Sequence, residues 1–371
     1  MYNTLIGKYC ATHADWENEL AAAPYYLKIK YDGCYVMFSY NQLASDFNNE
    51  LVREARGIIF RTGEWEKPVC WAFNKFGNYG ESYAPEIDWE TATVTEKIDG
   101  SLIKVWWDGY WHISTNGAID AYLAEIGDAK MKNFGEYFEL AIQKYYSSFF
   151  EFIENLNEKY TYMFELVGPY NRVVIPYNEV DVYWLGVRSN TTGMEYRTNC
   201  PYSIGVEKLP TPKEYPLTSL EECERAADAL EWDSEGFVVV DAARNRVKIK
   251  SPAYVMAHFA RNNNVITRKH LLQIILSNET AEFLCYASDY AEELQAVQDS
   301  MNEYKEACER YARALSAAAA MLERRIYAKF VMALPKVYWE YLFLNYERLV
   351  SAEEYTKDWD YHRWDRTLEE A

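Results

Sequence analysis

The distribution of glycine divides this chain into two parts. All 16 glycines lie before residue 256, and leucine, alanine, glutamate and arginine dominate the remainder. Residues 282–334 have a helical periodicity and contain no proline. Because a chain of 371 residues is long enough for two domains, we expect a mixed first domain of residues 1–255 and an all-helical second domain of residues 256–371.

Short apolar runs separated by turn residues predict many strands in the first domain. The runs 102–107 and 110–114 flank an Asp-Gly pair, which is a strong hairpin signal between two such runs. Residues 127–160 have a helical pattern, and residues 219–230 are typical of a short acidic helix. The prediction is an α+β fold whose first domain combines antiparallel sheets and helices.

Charge and cysteine content limit the class of protein. The formal net charge of -19 argues against a protein that coats nucleic acid non-specifically, because such proteins are normally basic. It still allows a nucleic-acid enzyme with a locally basic groove. The seven cysteines show no zinc-ligand spacing, which favours a reducing compartment. No signal-peptide pattern and no membrane-length apolar run occur, so we expect a cytoplasmic protein with no membrane partner.

Residues 96–101 read Glu-Lys-Ile-Asp-Gly-Ser and are the most informative stretch for chemistry. A lysine beside an acidic residue can attack a phosphorus atom once its ammonium group loses a proton. The following glycine lets the backbone approach a nucleotide closely. The same letters also suit a surface turn that closes a β-hairpin, so the surrounding segments decide between the two interpretations.

Several other segments occur in a characteristic order around this lysine. They are REARGIIF at residues 53–60, FNKFGN at 73–78, FELVGP at 164–169, NRVV at 171–174, SEGFVV at 234–239 and VKIKS at 247–251. In this order the set resembles the lysine-nucleotidyl transferases, which comprise ATP-dependent ligases and capping enzymes. The first and third segments are most similar to the bacteriophage RNA ligase 1 family of tRNA-repair enzymes. The resemblance covers about residues 25–255.

The resemblance implies an ATP-grasp-like nucleotidyltransferase domain followed by the helical domain, with a nucleotide site around the lysine. Lys97 would attack the α-phosphorus of ATP and form lysine–AMP, while Asp99 would orient the ribose or the lysine. Glu96, Ile98 and Gly100 would line the nucleotide site as parts of the same motif.

Two further cations match family positions that engage phosphates. Arg56 starts the Arg-Gly-Ile segment, and its fork of donors suits phosphate oxygens. Lys75 matches a family lysine that is also required for phosphate chemistry. The alternative for Arg56 is a surface salt bridge with Glu54. One departure from the family occurs at Asn116, where a basic residue commonly precedes the glycine.

Two carboxylates are candidates for a metal site. Glu165 lies within an apolar strand, and a buried carboxylate is costly unless it is paired or bound to metal. The family uses this position for the ribose or the catalytic metal; the alternative is a structural partner of Arg172 or of a lysine. Glu235 is the better candidate for a metal-water contact, because Mg²⁺ needs only one or two protein carboxylates.

Lys248 and Lys250 are two residues apart on a predicted strand and therefore point to one face. Two ammonium groups on one face attract a triphosphate. The alternative is an exposed edge strand that lysines protect from aggregation.

The resemblance implies an ATP-dependent RNA ligase that joins 5′-phosphate and 3′-hydroxyl RNA ends through lysine–AMP and RNA–adenylate intermediates. It also implies Mg²⁺, or alternatively Mn²⁺, as the metal, a nicked tRNA as the partner in RNA repair, and tRNA recognition by residues 256–371. The source would be a phage, and the location the host cytoplasm.

Two alternatives to an RNA ligase stay open at this point. A DNA ligase or capping enzyme typically has a β-barrel after the last lysine motif, which the helical pattern here disfavours. A nucleotide-binding module without catalysis is disfavoured by the intact Lys97, Glu165, Glu235, Lys248 and Lys250.

Overall fold

A computed structural model describes residues 3–42, 44–128, 131–197, 205–260, 266–321, 323–347 and 349–371. The chain forms two compact units, Met1–His258 and Phe259–Ala371. Each unit is described by itself below.

The strands all lie in the first unit within the described ranges. They are β1 (Lys28–Asp32), β2 (Tyr35–Ser39), β3 (Arg56–Arg61), β4 (Thr93–Glu96), β5 (Ser101–Trp107), β6 (Trp111–Thr115), β7 (Glu125–Asp128), β8 (Met131–Asn133), β9 (Tyr160–Val167), β10 (Asp181–Ser189), β11 (Glu195–Tyr196), β12 (Glu214–Tyr215), β13 (Gly236–Val240) and β14 (Arg246–Lys250).

The helices occur in both units. Those that begin in the first unit are α1 (Leu5–Thr12), α2 (Trp16–Ala21), α3 (Glu50–Glu54), α4 (Phe134–Ile142), α5 (Phe149–Ile153), α6 (Leu220–Asp228) and α7 (Pro252–Ala260). Those of the second unit are α8 (Arg268–Leu276), α9 (Thr280–Tyr286), α10 (Ala291–Met321), α11 (Arg324–Val331), α12 (Trp339–Glu347), α13 (Ala352–Thr356) and α14 (Tyr361–Glu370). Short 3₁₀ turns cover Ala121–Leu123, Ser288–Tyr290 and Lys336–Tyr338.

The strands form four sheets with antiparallel pairing. The largest has the order β11-β10-β9-β5-β6, the next β12-β4-β13-β14, the third β1-β2-β3, and β7 pairs with β8 alone. Antiparallel sheets in the first unit and helices in the second confirm the predicted α+β class.

The core of the five-stranded sheet is aromatic and lies against α4 and α5. Phe138, Phe152 and Phe164 have no exposed surface, and the rings of Phe138 and Phe164 lie 5.3 Å apart. Burying each of these side chains stabilises the fold by roughly 2–3 kcal/mol. This packing fixes β9 and β5, whose other face reaches the candidate site.

The local predictions in the first unit are partly correct. The hairpin at Asp108 and Gly109 is confirmed, because β5 pairs with β6 around it and Gly109 has a left-handed φ of 81°. The short helix is confirmed as α6. The helical prediction for residues 127–160 is wrong at its start, where β7 and β8 lie instead. Helix α4 begins only after Asn133, whose side chain accepts a hydrogen bond from the backbone N–H of Glu136.

The described residues of the second unit contain helices and no strand. The predicted helical stretch 282–334 is divided among α9, α10 and α11, and α10 alone has 31 residues. Tyr304, Trp359 and Trp364 are buried against each other in the core of this unit. None of the described helices has the length and apolar character that crossing a membrane requires.

Candidate active site

A pocket lies between the four-stranded and five-stranded sheets of the first unit. Its apolar lining includes Phe73, Leu102, Leu185, Val238 and Val240. Its charged lining is formed by Arg56, Glu96, Lys97, Glu165, Arg197, Glu214 and Arg246. The site therefore offers apolar walls for a base and converging charges for phosphates.

Lys97 follows β4 directly and extends its pairing with β13, since its N–H donates to the carbonyl of Gly236 at 2.8 Å. The Lys97 side chain is 20% exposed, and its Nζ lies 2.7 Å from Glu235 Oε2. The other oxygen of Glu235 lies 3.6 Å from Lys250 Nζ. The buried Glu235 carboxylate thus holds two lysines, one on each oxygen; Lys97 lines the pocket, whereas Glu235 and Lys250 do not.

Lys248 and Lys250 alternate along β14 with the buried Val247 and Ile249, as predicted from their spacing. The outer edge of β14 is covered: Lys248 N–H donates to Gly77 O, and Tyr79 N–H donates to Lys248 O, both at 2.9 Å. The alternative of an exposed edge strand is therefore wrong.

Arg56 opens β3 and lines the pocket, with its guanidinium 5.4 Å from the centre of the Phe76 ring. Its Nε and Nη1 are buried and have no hydrogen-bond partner within the described part of the chain. The alternative partner, Glu54, is buried and accepts hydrogen bonds from the N–H groups of Leu5 and Ile6. Arg56 is therefore a donor that faces the pocket and still needs an anion.

Glu165 lies on β9 and borders the pocket. Burial, together with the nearby charges of Glu235 and Asp99, raises the pKa of Glu165 from an ordinary 4.5 to about 7, against the opposing effect of Lys97 and Arg56. The alternative of a pairing with Arg172 is not observed, since Arg172 Nε donates to the carbonyl of Val174. The positive charges of Lys97 and Arg56 therefore compensate the burial of Glu165 only in part.

Asp99 is held by hydrogen bonds outside the lining of the pocket. Its side chain is 4% exposed. One oxygen accepts the N–H groups of Val174 and Ile175 at 2.9 and 2.8 Å, and the other accepts the Tyr254 hydroxyl at 2.8 Å. Asp99 therefore anchors the lysine loop to two distant segments, and its role in orienting the lysine or the ribose stays a prediction.

The rest of the lysine motif is divided between the pocket and the scaffold. Glu96 and Ile98 line the pocket as expected. A Cβ atom at Gly100 would lie 2.4 Å from the carbonyl oxygen of Leu166. The close approach that requires glycine here is therefore to the backbone of β9, and a contact with the nucleotide stays a prediction.

Lys75 does not line this pocket but a neighbouring groove. Its ammonium group lies over the rings of Tyr40 and Phe47, at 5.3 and 4.9 Å from their centres. Asn116 uses its carbonyl to accept the Ser39 hydroxyl, while its side-chain oxygen is buried without a partner in the described residues.

Sequence reasoning missed three cations near the site. Arg246 precedes Lys248 by two residues on β14, so strand alternation could have identified it. Arg197 lines the pocket from a segment with no recognisable motif. Lys104 is fully buried on β5 and donates to Gly57 O at 2.5 Å; burial lowers the pKa of Lys104, and nearby Arg56 lowers it further. Lys104 could have been identified from the sequence as a lysine inside an apolar run.

The donor set fits a divalent cation with few protein ligands. Glu165 and Glu235 are neighbouring carboxylates, and the charge of Glu235 contributes to the raised pKa of Glu165. No group of three or more His, Cys, Asp or Glu ligands occurs within the described ranges. Mg²⁺ commonly binds through one or two carboxylates plus substrate phosphates.

Comparison with known proteins identifies the family. The RNA ligase family model matches residues 54–254, which is more than half of the chain. The chain is 31% identical to a candidate bifunctional polynucleotide kinase/RNA ligase of Autographa californica nuclear polyhedrosis virus, over 67% of this chain and 37% of the viral protein. It is 29% identical to an RNA ligase of Rhodothermus phage RM378, over 67% of this chain and 69% of the phage protein.

Among solved structures, an archaeal ATP-dependent RNA ligase superposes with a TM-score of 0.49 and 13% identity, covering 79% of this chain and 76% of that one. The chain spans little more than a third of the length of its viral relative. The site and the family model agree on the class: the chain belongs to the RNA ligase family. The family predicted from the sequence motifs is confirmed.

Proposed function

We propose that this protein is an ATP-dependent RNA ligase that joins a 5′-phosphate RNA end to a 3′-hydroxyl end. One observation carries the proposal: Glu235 holds Lys97 and Lys250 at 2.7 and 3.6 Å beside an open pocket. This contact supports the proposal, because it joins a candidate nucleophile, a carboxylate and a candidate phosphate-binding cation.

In the first step the Lys97 amine attacks the α-phosphorus of ATP, and the bond to pyrophosphate breaks. The Glu235 oxygen at hydrogen-bond distance is placed to take the proton that Lys97 Nζ must lose. Lys248, Lys250 and Arg56 neutralise the phosphates as the leaving group departs.

In the second step an oxygen of the RNA 5′-phosphate attacks the phosphorus of lysine–AMP, and Lys97 is released as the RNA–adenylate forms. In the third step the 3′-hydroxyl attacks the 5′-phosphorus, a phosphodiester bond forms, and AMP leaves. Arg56 has unpartnered donors that suit each successive phosphate.

A divalent cation, Mg²⁺ or Mn²⁺, would be held by Glu165 and Glu235 and would supply neutralisation of phosphate charge.

The natural substrate is proposed to be RNA, with a nicked tRNA as the favoured partner. The helical second unit lacks the lysine motifs, and residues 256–371 are proposed to recognise the shape of the RNA. A DNA ligase or capping enzyme is less well supported, because the described residues after β14 form helices and no β-barrel. A module without catalysis is opposed by the intact lysine–glutamate contacts.

The test uses Lys97→Ala with two RNAs, one with a plain 5′-phosphate and one already adenylated. The variant should seal only the adenylated RNA, because it lacks the nucleophile and keeps the later machinery. Lys67→Ala, an exposed lysine on the same unit, is the matched control and should seal both. Sealing of the plain 5′-phosphate RNA by Lys97→Ala would refute the proposal.

A further inference from the structure

A second cavity adjoins the nucleotide pocket within the first unit. It shares Phe76 and Arg246 with the pocket. We name it the cationic groove and define it by its charged lining of Arg53, Lys75, Arg188, Glu195, Arg244 and Arg246. A ligand that leaves the pocket past Phe76 would enter this groove.

The groove is positively charged, although the chain as a whole is negatively charged. Five of its charged residues are cations and one, Glu195, is an anion, whereas the whole chain has a net charge of -19. Glu195 is committed to two of the cations: its oxygens lie 3.5 Å from Arg188 Nη1 and 2.9 Å from Arg246 Nη2. The pKa of Glu195 is lowered by these two guanidinium groups in spite of its burial. The charged residues that line the groove therefore include more cations than anions.

Lys75 and Arg244 supply that excess at the surface of the groove. Neither makes an ion pair within 4.0 Å among the residues that the structure describes. Lys75 lies over the rings of Tyr40 and Phe47, which hold its ammonium group without neutralising it. Arg244 is exposed in the loop between β13 and β14. Two unneutralised cations in a concave surface attract a polyanion.

Arg244 has an unfavourable backbone conformation. Its φ is 72°, in the left-handed region that favours glycine or asparagine. The loop is held closed by Asp241, whose side chain accepts from the backbone and the amide of Asn245 at 2.9 Å. A glycine would adopt this φ without strain, so the turn itself does not require an arginine at this position.

We propose that the cationic groove binds the phosphate backbone of the single RNA strand whose end is in the nucleotide pocket. This rests on the proposed ligase function and adds the path of the strand. The groove combines cations with the aromatic rings of Phe76 and Tyr83, and a single strand is bound by this combination of charge and stacking. Phosphate contacts of this kind hold RNA without reading its sequence.

The test separates the ATP step from RNA binding. Arg244→Gly removes the cation and relieves the turn, so it should fold with an unchanged or higher melting temperature. It should form enzyme–AMP at the wild-type rate, but bind fluorescent single-stranded RNA about tenfold more weakly and seal pre-adenylated RNA more slowly. The slope of log affinity against log salt should fall by about 0.7, the value for one phosphate contact.

Two controls accompany the variant. Arg244→Lys keeps the charge in the same turn and should bind RNA almost as the wild type does. Arg225→Ala removes an exposed arginine from α6 and should change neither RNA affinity nor its salt slope.

Each outcome gives a distinct answer. Wild-type RNA affinity and salt slope in Arg244→Gly would overturn the groove assignment and leave the ligase function standing. Slower enzyme–AMP formation in Arg244→Gly would assign the groove to the pyrophosphate part of ATP and also overturn the proposal. Failure of the wild type itself to form enzyme–AMP would refute the ligase function.

Discussion

Replacing Glu165 by glutamine should make the protein more stable at high pH and leave it nearly unchanged at low pH. The pKa of Glu165 is raised to about 7 from an ordinary 4.5, chiefly by burial. Between those values the folded protein binds a proton that the unfolded chain has released, so the free energy of unfolding falls as the pH rises. At about 1.4 kcal/mol per pKa unit, the ionisation of Glu165 lowers the free energy of unfolding by at most about 3 kcal/mol at pH 8. Screening by water in the pocket reduces this value.

The assay is urea unfolding of the wild type and Glu165→Gln at pH 5 and pH 8 in the presence of a chelator. The stabilisation by the substitution should be about 2 kcal/mol larger at pH 8 than at pH 5. Glu179→Gln, an exposed carboxylate whose side chain is 84% accessible, is the matched control and should show no such dependence. Adding Mn²⁺ at pH 8 should stabilise the wild type but not Glu165→Gln. Equal differences at both pH values would refute the account of Glu165.

Three further sets of substitutions test other parts of the site. Asp99→Asn should lower the free energy of unfolding by about 2 to 4 kcal/mol, because an amide cannot accept all three hydrogen bonds. Urea unfolding measures this change. Unchanged stability together with lost adenylylation would show that Asp99 acts in catalysis and not as a structural anchor. Gly100→Ala should cost about 1 to 3 kcal/mol through its clash with Leu166 O, and an unaltered melting temperature would contradict that. Lys248→Ala and Lys250→Ala should each slow enzyme–AMP formation on the order of a hundredfold with the fold intact, as measured with labelled ATP, whereas wild-type rates in both would remove them from the site.

The parts of the site that sequence predicts well are those that depend on local pattern. Strand alternation places Lys248 and Lys250 on one face, and the Asp-Gly hairpin places β5 just after Lys97. The absence of glycine after residue 256 in the same way predicts the helical second unit. Each of these features arises from neighbours within a few residues.

The parts that sequence does not predict depend on contacts between distant segments. Asp99 accepts hydrogen bonds from Val174, Ile175 and Tyr254, which are too distant in the sequence for a local pattern to predict the contacts. The cover over β14 by residues 77–79 is equally non-local, and it excludes the edge-strand interpretation. The strands β7 and β8 replace a predicted helix because pairing between them outweighs their weak helical periodicity.

The proposed function depends on the covalent attachment of AMP to Lys97. The most direct measurement is peptide mapping by mass spectrometry after the full chain is incubated with ATP and Mg²⁺. We predict that AMP is attached to the peptide that contains Lys97, through a phosphoramide bond that acid cleaves. AMP attached to any other residue, or no attachment in a protein that still seals 5′-phosphate RNA, would contradict the account.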